Sequence, residues 1–441
     1  MSTPATGLAP RERAHTILHE VLDRRRPLDE VLQTDRRFAR LVDRDRAFAR
    51  NLVATTLRRL GQIDAILDGL LDRPLPRSAA AARNALRLGA CQLLFLDTQT
   101  HAAVDTSVTL AARRGPDRFR GVVNAILRRI SNIDRASVDD RYPVSLNMPD
   151  WLAQGWAARY GAETTVALVA QYLETPPTDI TVKADAARWA ETLGGTAISG
   201  DTVRLERAGD VTALRGFAEG AWWIQDAAAA LPARLLALAL TGQEGAERVA
   251  DLCAAPGGKT AQLAAAGFDV TAIDVSADRM ETLRENMTRL GLTAATVEAD
   301  LTAWAPPAPF AGVLLDAPCT ATGTMRRHPD IPRLKRSGDV LRQADLQKKL
   351  LARMPDFVAP GGILVYSVCS LQPEEGVECV DDFLTKYDIF QREPVLPGEV
   401  PAFDDCVTAD GDLVTLPQPS IAGGLDGFYI ARFRRRRATP R

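Results

Sequence analysis

The segment that most constrains the fold is RVADLCAAPGGKT, at Arg248–Thr260. Its apolar start predicts a strand, which runs through a loop of small residues into a helix over Thr260–Ala266. Gly257 and Gly258 let the main chain approach a ligand closely, and the helix that follows presents N–H groups without helical acceptors. The segment is neither a GxGxxG fingerprint nor a GxxxxGK[ST] phosphate loop, which disfavours nicotinamide cofactors and ATP.

Strands and helices alternate from Gln225–Asp226 to the end of the chain. Apolar strands are predicted at Val270–Val275, Gly312–Leu315 and Ile363–Tyr366, with helical stretches between them. This alternation is typical of a mostly parallel, doubly wound α/β sheet. In such sheets ligands bind at the carboxyl ends of the strands.

Successive predicted strands of this region end in acidic residues. Asp274 closes the second strand and is placed to bind the hydroxyls of a ribose. Asp300 follows a third strand near Thr296–Val297, where it could accept from an adenine amino group, and Asp316 closes the fourth. A lone acid in such a place commonly caps a helix. Several acids beside a glycine loop indicate a nucleoside-bearing cofactor instead.

The amino-terminal third differs in charge and pattern. Residues 1–135 carry 24 arginines, no lysine and 15 acidic residues, while residues 136–441 have a net charge of −11. Apolar residues spaced three or four apart over 48–70 predict one helical face. We therefore predict an all-helical domain at 1–135 that meets a polyanion, a small α/β connector at 136–228 and a Rossmann-like catalytic domain at 229–441.

Other classes of protein are disfavoured by composition. No apolar run approaches the length of a membrane span, and the amino terminus lacks the apolar region of a secretory signal. Six cysteines form no disulfide framework and no CxxC pair. We expect a reduced, cytoplasmic protein without a metal site and without membrane association.

Two cysteines each follow a predicted strand. Cys319 lies in DAPCTATGT (Asp316–Thr324) and Cys369 in GGILVYSVCSLQPEEG (Gly361–Gly376). A single buried thiol is commonly inert. A disulfide is disfavoured in a reducing compartment, and two thiols without further ligands make a poor metal site. Two cysteines at neighbouring strand ends therefore indicate covalent catalysis by a thiolate.

These segments are similar to those of a known family. DLCAAPGGKT, DAPCTATGT, RRHPDI (Arg326–Ile331) and the cysteine-containing PEEG block resemble the Nop/Sun family of RNA 5-methylcytosine methyltransferases. The helical part, including GVVNAILRRI (Gly121–Ile130), resembles the NusB-type RNA-binding domain. The combination is similar to the bacterial 16S ribosomal RNA cytosine-5 methyltransferase B subfamily, also called Fmu or Sun. It covers nearly the whole chain.

The resemblance implies a fold, a cofactor and a substrate. It implies a class I methyltransferase domain that uses S-adenosylmethionine and acts on RNA. We expect this RNA to be 16S ribosomal RNA, free or in an early assembly intermediate, with no obligate protein partner. The target base must leave its stack, which favours RNA that is not yet fully assembled.

The resemblance also implies site residues. Cys369 would add to C6 of cytosine, Cys319 would assist release of the product, and Asp316 would hydrogen-bond the base. The implied contacts to S-adenosylmethionine are Cys253, Ala254, Ala255, Pro256, Gly257, Gly258, Lys259, Asp274, Asp300 and Asp316. Gly220, Gln225 and Asp226 match a GxxxxQD element that precedes the catalytic domain.

The chain departs from the family pattern at a few positions. Val368 stands before Cys369 where the family usually has threonine, so a hydroxyl that could orient the base or the thiol is missing. Thr181 and Lys183 stand where the connector strand usually carries arginine and asparagine. RNA contacts of that strand are therefore not transferred to this chain.

Three alternatives stay open. The same chemistry could act on transfer RNA or on another ribosomal site, because similar catalytic domains differ mainly in their appended domains. An amino-group methyltransferase would resemble its class in an Asn/Asp-Pro-Pro-aromatic motif, whereas this chain has Asp316–Ala317–Pro318–Cys319. A noncatalytic RNA-binding or transcription factor would not need both Cys319 and Cys369.

Overall fold

The computed structural model describes residues 7–206, 208–417 and 421–437. The described chain separates into two compact units. The first contains the residues up to Glu174 together with Met325–Arg336, and the second contains Thr175–Thr324 and the residues from Ser337 onward. The three-domain division at residues 135 and 228 stays a prediction. The helices between residues 138 and 173 belong to the first unit.

The first unit is helical up to Glu174. Its helices are α1 Leu8–Leu22, α2 Leu28–Thr34, α3 Arg36–Ala39, α4 Asp43–Arg58, α5 Leu60–Leu70, α6 Ala80–Leu94, α7 Thr100–Arg114, α8 Arg120–Ile130, α9 Val138–Arg141, α10 Asp150–Tyr160 and α11 Ala162–Leu173. One hydrophobic cluster joins α1, α2 and α4 to α8. The apolar positions predicted over 48–70, such as Leu57, Ile63 and Leu67, are buried in it. This burial provides most of the stability of helices of this length.

The predicted helix over 48–70 is broken in the structure. Helix α4 ends at Arg58 and α5 begins at Leu60, with Arg59 between them. Two residues after the break, a Cβ on Gly61 would lie 1.7 Å from the carbonyl oxygen of Leu146. Only glycine allows the main chain to approach Leu146 so closely.

The segment Met325–Arg336 belongs to the helical unit although it lies far along the chain. Asp330 Oδ2 accepts from the Leu28 amide at 2.9 Å, and Arg58 donates to the carbonyl of Arg326 at 2.7 Å. The hydroxyl of Tyr172 donates to the carbonyl of Pro329 at 3.0 Å. The RRHPDI motif therefore supplies contacts within the helical unit, which the sequence did not indicate.

The remaining helices lie beyond Glu174. They are α12 Ala186–Leu193, α13 Leu231–Leu240, α14 Gly258–Ala265, α15 Ala277–Leu290, α16 Ile331–Leu334 in the segment just described, α17 Ser337–Leu351, α18 Met354–Phe357 and α19 Val377–Lys386. None of the helices in the described part of the chain is long and apolar enough to cross a membrane.

The second unit contains two sheets. Their strands are β1 Thr178–Val182, β2 Thr196–Ser199, β3 Thr202–Leu205, β4 Trp222–Ile224, β5 Arg248–Leu252, β6 Asp269–Asp274, β7 Ala295–Glu298, β8 Phe310–Asp316, β9 Val358–Val368, β10 Phe390–Arg392, β11 Leu413–Thr415 and β12 Phe428–Arg435. The smaller sheet has the order β2-β3-β1-β4 with antiparallel neighbours. The larger sheet has the order β10-β12-β9-β8-β5-β6-β7, and β11 pairs with β12.

The larger sheet confirms the predicted α/β class. Strands β5 to β9 are parallel, whereas β12 runs antiparallel to β9 and makes the sheet mixed. Asp274 lies opposite Glu298, and Asp316 lies opposite Ser367. The carboxyl ends of these strands therefore meet at one edge, where the glycine loop also begins.

Candidate active site

The glycine loop joins β5 to α14 along this edge. Cys253 and Gly257 have the positive φ angles of 61° and 101°, which let the chain reverse after the strand. The Ala254 amide donates to the carbonyl of Ile273 at 3.1 Å, which ties the loop to β6. Because α14 begins at Gly258, its first N–H groups have no helical acceptors and face the start of the helix. This arrangement suits a ligand with a carboxylate or phosphate group.

Asp274 lies buried at the end of β6 and holds the glycine loop in place. Its carboxylate accepts from the amides of Ala255 at 3.2 Å and Ser276 at 3.0 Å, and Arg279 lies 3.3 Å away. Val275 is 66% exposed immediately after it. A large apolar side chain left exposed beside a carboxylate would fit a flat base attached to a ribose.

Asp300 is exposed just beyond β7. Its Oδ1 accepts from both the amide of Thr302 at 2.8 Å and the hydroxyl of Thr302 at 2.7 Å. These hydrogen bonds lower the pKa of Asp300, so the carboxylate is ionised at neutral pH. The local turn is the capping arrangement that a lone acid would make. The predicted contact of Asp300 with adenine stays a prediction.

Asp316 lies at the end of β8 between a lysine and a serine. Its Oδ2 accepts from Lys259 Nζ at 2.7 Å, and its Oδ1 accepts from the Ser367 hydroxyl at 2.8 Å. Burial alone would lower the pKa of Lys259, but the charge of Asp316 and its hydrogen bond raise it above the ordinary value. Lys259 is therefore a cation, and its hydrogen bond together with that of Ser367 fixes the orientation of the Asp316 side chain. The sequence did not indicate the contribution of Ser367.

The two cysteines predicted for catalysis lie together. Cys319 Sγ and Cys369 Sγ are 3.3 Å apart, at the ends of the neighbouring strands β8 and β9. The hydrogen bond to Cys369, followed by burial, raises the pKa of Cys319 well above its usual value. Cys319 is therefore a neutral thiol, and its sulfur lies within hydrogen-bond distance of the Cys369 sulfur.

Val368 is completely buried in the hydrophobic cluster against which Cys319 packs. A hydroxyl at this position would be shielded from solvent, so it could act on a substrate only through its neighbours. Thr181 is also buried, and its hydroxyl donates to Gln225 Oε1 at 2.9 Å. Lys183 donates to the main-chain carbonyl of Leu290. In the described structure both connector residues therefore have partners within the protein.

The GxxxxQD element fixes the small sheet onto the catalytic sheet. Gly220 has a φ of 65°, and a Cβ there would lie 2.1 Å from the carbonyl oxygen of Arg289. Gln225 accepts from Trp223 Nε1 at 2.8 Å, and its side-chain amide lies 3.3 Å from Gln262 of α14. Asp226 accepts from the Ala228 amide at 2.9 Å. Gln225 therefore contacts the helix that follows the glycine loop.

The predicted site residues fall into two groups. Cys319, Cys369, Asp316 and Lys259 are close to one another at the ends of β8, β9 and α14. Cys253 to Gly258 and Asp274 form the neighbouring loop. Their roles toward a ligand stay predictions. In the described parts of the chain, no group of three histidine, cysteine or acidic residues could hold a metal ion.

The residues of this edge fit S-adenosylmethionine. The α14 amino terminus suits its carboxylate, and exposed Val275 suits its adenine beside Asp274. The model of the 16S rRNA methyltransferase RsmB/F family matches residues 237–434, and that of the NusB family matches residues 8–132. The fold and the site therefore define an S-adenosylmethionine-dependent ribosomal RNA methyltransferase.

Comparison with individual proteins narrows this class. The chain is 35% identical to ribosomal RNA small subunit methyltransferase B of Xanthomonas campestris pv. campestris, over 89% of its own length and 91% of that protein. It is 32% identical to the protein of the same name in Salmonella paratyphi B, over 85% of its own length and 87% of that protein. The chain belongs to the ribosomal RNA small subunit methyltransferase B family, as its motifs predicted.

The fold agrees with a solved structure. The crystal structure of PH0851 superposes with a TM-score of 0.76 at 21% sequence identity, covering 98% of this chain and 99% of that one. At this identity the likeness shows the fold alone.

Proposed function

We propose that this methyltransferase makes 5-methylcytosine in 16S ribosomal RNA through a covalent bond between Cys369 and C6 of the base. The observation that carries the proposal is the 3.3 Å approach of Cys319 and Cys369 beside Asp316. C5 of cytosine is a poor nucleophile, so addition of a thiolate at C6 is needed to make it attack a methyl group. Amino-group methylation would need neither thiol.

The first steps use Cys369 and Asp316. The Cys369 thiolate forms a bond to C6, and the electron pair of the C5–C6 double bond becomes available at C5. Asp316, held by Lys259 and Ser367, hydrogen-bonds the base and favours its protonated, electron-poor form. S-adenosylmethionine supplies an electrophilic methyl group to C5.

Release of the product uses Cys319. A water molecule takes the C5 proton, the C5–H electron pair restores the C5–C6 double bond, and the C6–S bond breaks with its electron pair on Cys369. The Cys319 thiol lies 3.3 Å from this sulfur, and in the proposed mechanism it donates a hydrogen bond that stabilises the departing thiolate. The roles of the two thiols therefore differ.

A basic cleft in the helical unit suits the RNA backbone. A cavity of about 450 Å³ lies between α1, α2, α3 and α7. Its lining includes Glu20 and Asp35, but most of its charged residues are arginines: Arg13, Arg26, Arg36, Arg37 and Arg114. Guanidinium groups bind phosphates in a bidentate manner. The NusB family match supports RNA as the partner of this unit. Binding should weaken steeply as salt rises.

Transfer of labelled methyl groups to protein-free 16S RNA, 23S RNA and transfer RNA tests the reaction and its substrate. We expect label in 5-methylcytidine from 16S RNA alone. The same nucleoside from another RNA would keep the chemistry and change the substrate. Label in a different nucleoside would overturn the chemistry.

A pair of variants tests the roles of the thiols. Cys319→Ala should accumulate a protein–RNA adduct that survives denaturation, because the departing thiolate loses its hydrogen-bond donor. Adding Cys369→Ala should abolish the adduct. An adduct that persists without Cys369 would show that the two roles are reversed.

A further inference from the structure

Glu375 is a buried acidic residue between β9 and α19. Its side chain is hydrogen-bonded to the residue that follows Cys319 and to the residue that follows Cys369. Its Oε1 accepts from the Thr320 amide at 2.8 Å, and its Oε2 accepts from the Ser370 hydroxyl at 2.5 Å. Oε2 also accepts from the Thr320 hydroxyl. Thr320 follows Cys319, and Ser370 follows Cys369. One side chain therefore joins the two loops that carry the thiols.

The surroundings of Glu375 consist of hydrogen-bond donors. Within the described residues, no lysine, arginine or histidine lies within ion-pair distance of its carboxylate, although Gln347 Nε2 approaches Oε1 at 3.3 Å. Burial raises the pKa of Glu375, and the hydrogen bonds from Ser370 and Thr320 oppose that change. A buried carboxylate needs such donors to remain in place.

Further bonds fix Glu375 and both loops. Its own carbonyl accepts from the buried hydroxyl of Tyr366 at 2.6 Å, which anchors it to β9. The Thr322 and Ser370 hydroxyls lie 3.1 Å apart, and the Gly323 amide donates to the carbonyl of Cys369 at 3.0 Å. The carboxylate lies at the centre of this network because it bonds both loops at once.

We infer that Glu375 is a positioning residue that sets the separation of the Cys319 and Cys369 sulfurs. The inference rests on the proposed function, in which both thiols act on one base. The carboxylate does not contact the base. It acts through Thr320 and Ser370, whose main chain carries the thiols.

The substitution Glu375→Asp tests this role. Aspartate keeps the carboxyl group but is shorter by one C–C bond, about 1.5 Å, so it cannot reach Thr320 and Ser370 together. Glu378→Asp is the matched control, since Glu378 is an exposed carboxylate in the first turn of α19. Thermal unfolding of both variants measures any general loss of stability.

The first measurement follows the thiols without any reaction on RNA. The azo oxidant diamide takes two hydrogen atoms from the Cys319 and Cys369 thiols, forming a disulfide while its N=N bond is reduced to a hydrazine. Disulfides demand a narrow range of Cβ separation. We expect the rate of this disulfide, identified by peptide mass spectrometry, to fall several-fold in Glu375→Asp and to be unchanged in Glu378→Asp.

The second measurement is methyl transfer. We expect kcat to fall about 100-fold in Glu375→Asp, as misplacement of reacting groups by about 1 Å can cause. KM for S-adenosylmethionine should be unchanged, because the glycine loop is not altered. A role in stability alone would lower kcat only in proportion to the unfolded fraction.

The outcomes separate this inference from the proposed function. Unchanged disulfide formation or unchanged kcat in Glu375→Asp would overturn the positioning role. Absence of 5-methylcytidine with the unsubstituted enzyme would overturn the proposed function, while the diamide comparison would still test the geometry. If Glu375→Asp does not fold, Ser370→Ala removes one partner and should change both measurements in the same direction.

Discussion

Asp251 provides a quantitative test of the electrostatics beneath the glycine loop. It is the fourth of the five residues of β5 and is completely buried. Its Oδ2 accepts from the Thr260 hydroxyl at 2.6 Å, whereas Oδ1 has no hydrogen-bond partner among the described residues. Burial raises the pKa of Asp251 to about 7. We predict that Asp251→Asn makes the free energy of unfolding less dependent on pH.

The sign and size follow from proton linkage. The folded protein holds the Asp251 proton more tightly than the unfolded chain, whose pKa is near 3.8. The stabilisation is therefore complete below pH 3.8 and is lost as pH rises through about 7. The full difference corresponds to about 4 kcal/mol, of which about 3 kcal/mol falls between pH 5 and pH 8.

Urea unfolding at pH 5, 6, 7 and 8, followed by tryptophan fluorescence, measures this effect. The free energy of unfolding of Asp251→Asn, relative to the unsubstituted protein, should rise by about 3 kcal/mol across this range. Asparagine is neutral at every pH and can still accept from Thr260. Asp269→Asn, at an exposed carboxylate at the start of β6, should show no such rise. A difference that stays flat with pH for Asp251→Asn would refute the reasoning.

Other predictions concern separate parts of the molecule. Arg204→Met should lower the free energy of unfolding by about 3–5 kcal/mol, because Asp179 would stay buried without the guanidinium that now lies 2.7 Å away. Urea unfolding measures this loss. A smaller loss in Arg204→Met than in Asp179→Ala would contradict the prediction. Gly220→Ala should lower the free energy of unfolding by about 1–3 kcal/mol or more, since the positive φ of Gly220 and a close carbonyl oxygen exclude a Cβ. The double variant Arg36→Gln/Arg37→Gln should reduce the slope of log affinity for RNA against log salt by about 1.4; an unchanged slope would exclude the basic cleft from RNA binding.

The edge of the sheet could be predicted because strand ends carry a local pattern. Asp274 and Asp316 are the last residues of their strands, and Cys319 and Cys369 follow shortly after theirs. Because the strands are parallel, a position at the end of a strand is enough to place each residue at the same edge of the sheet. The structure brings Cys319 and Cys369 within 3.3 Å for this reason. Parallel topology converts four separate segments into one site.

The network behind the thiols could not be predicted in the same way. Glu375 lies in a turn without periodicity, and its partners Thr320 and Ser370 are distant in sequence. Polar residues in loops have no pattern that states whether they are buried. The break at Arg59 was missed because the apolar spacing continues through it. The close approach of Gly61 to Leu146 could not be predicted either, since these residues are distant in sequence.

The segment Met325–Arg336 makes the helical unit inseparable from the rest of the chain. The polypeptide passes from one unit to the other at residues 174, 324 and 336, so a single cut cannot release either. A fragment ending at Glu174 would lose the Asp330 acceptor of the Leu28 amide and the carbonyl that Tyr172 binds. A fragment beginning at Thr175 would keep the twelve residues Met325–Arg336 without the helices against which they pack. A fusion or truncated protein that is meant to contain the helical unit alone should therefore include residues 325–336.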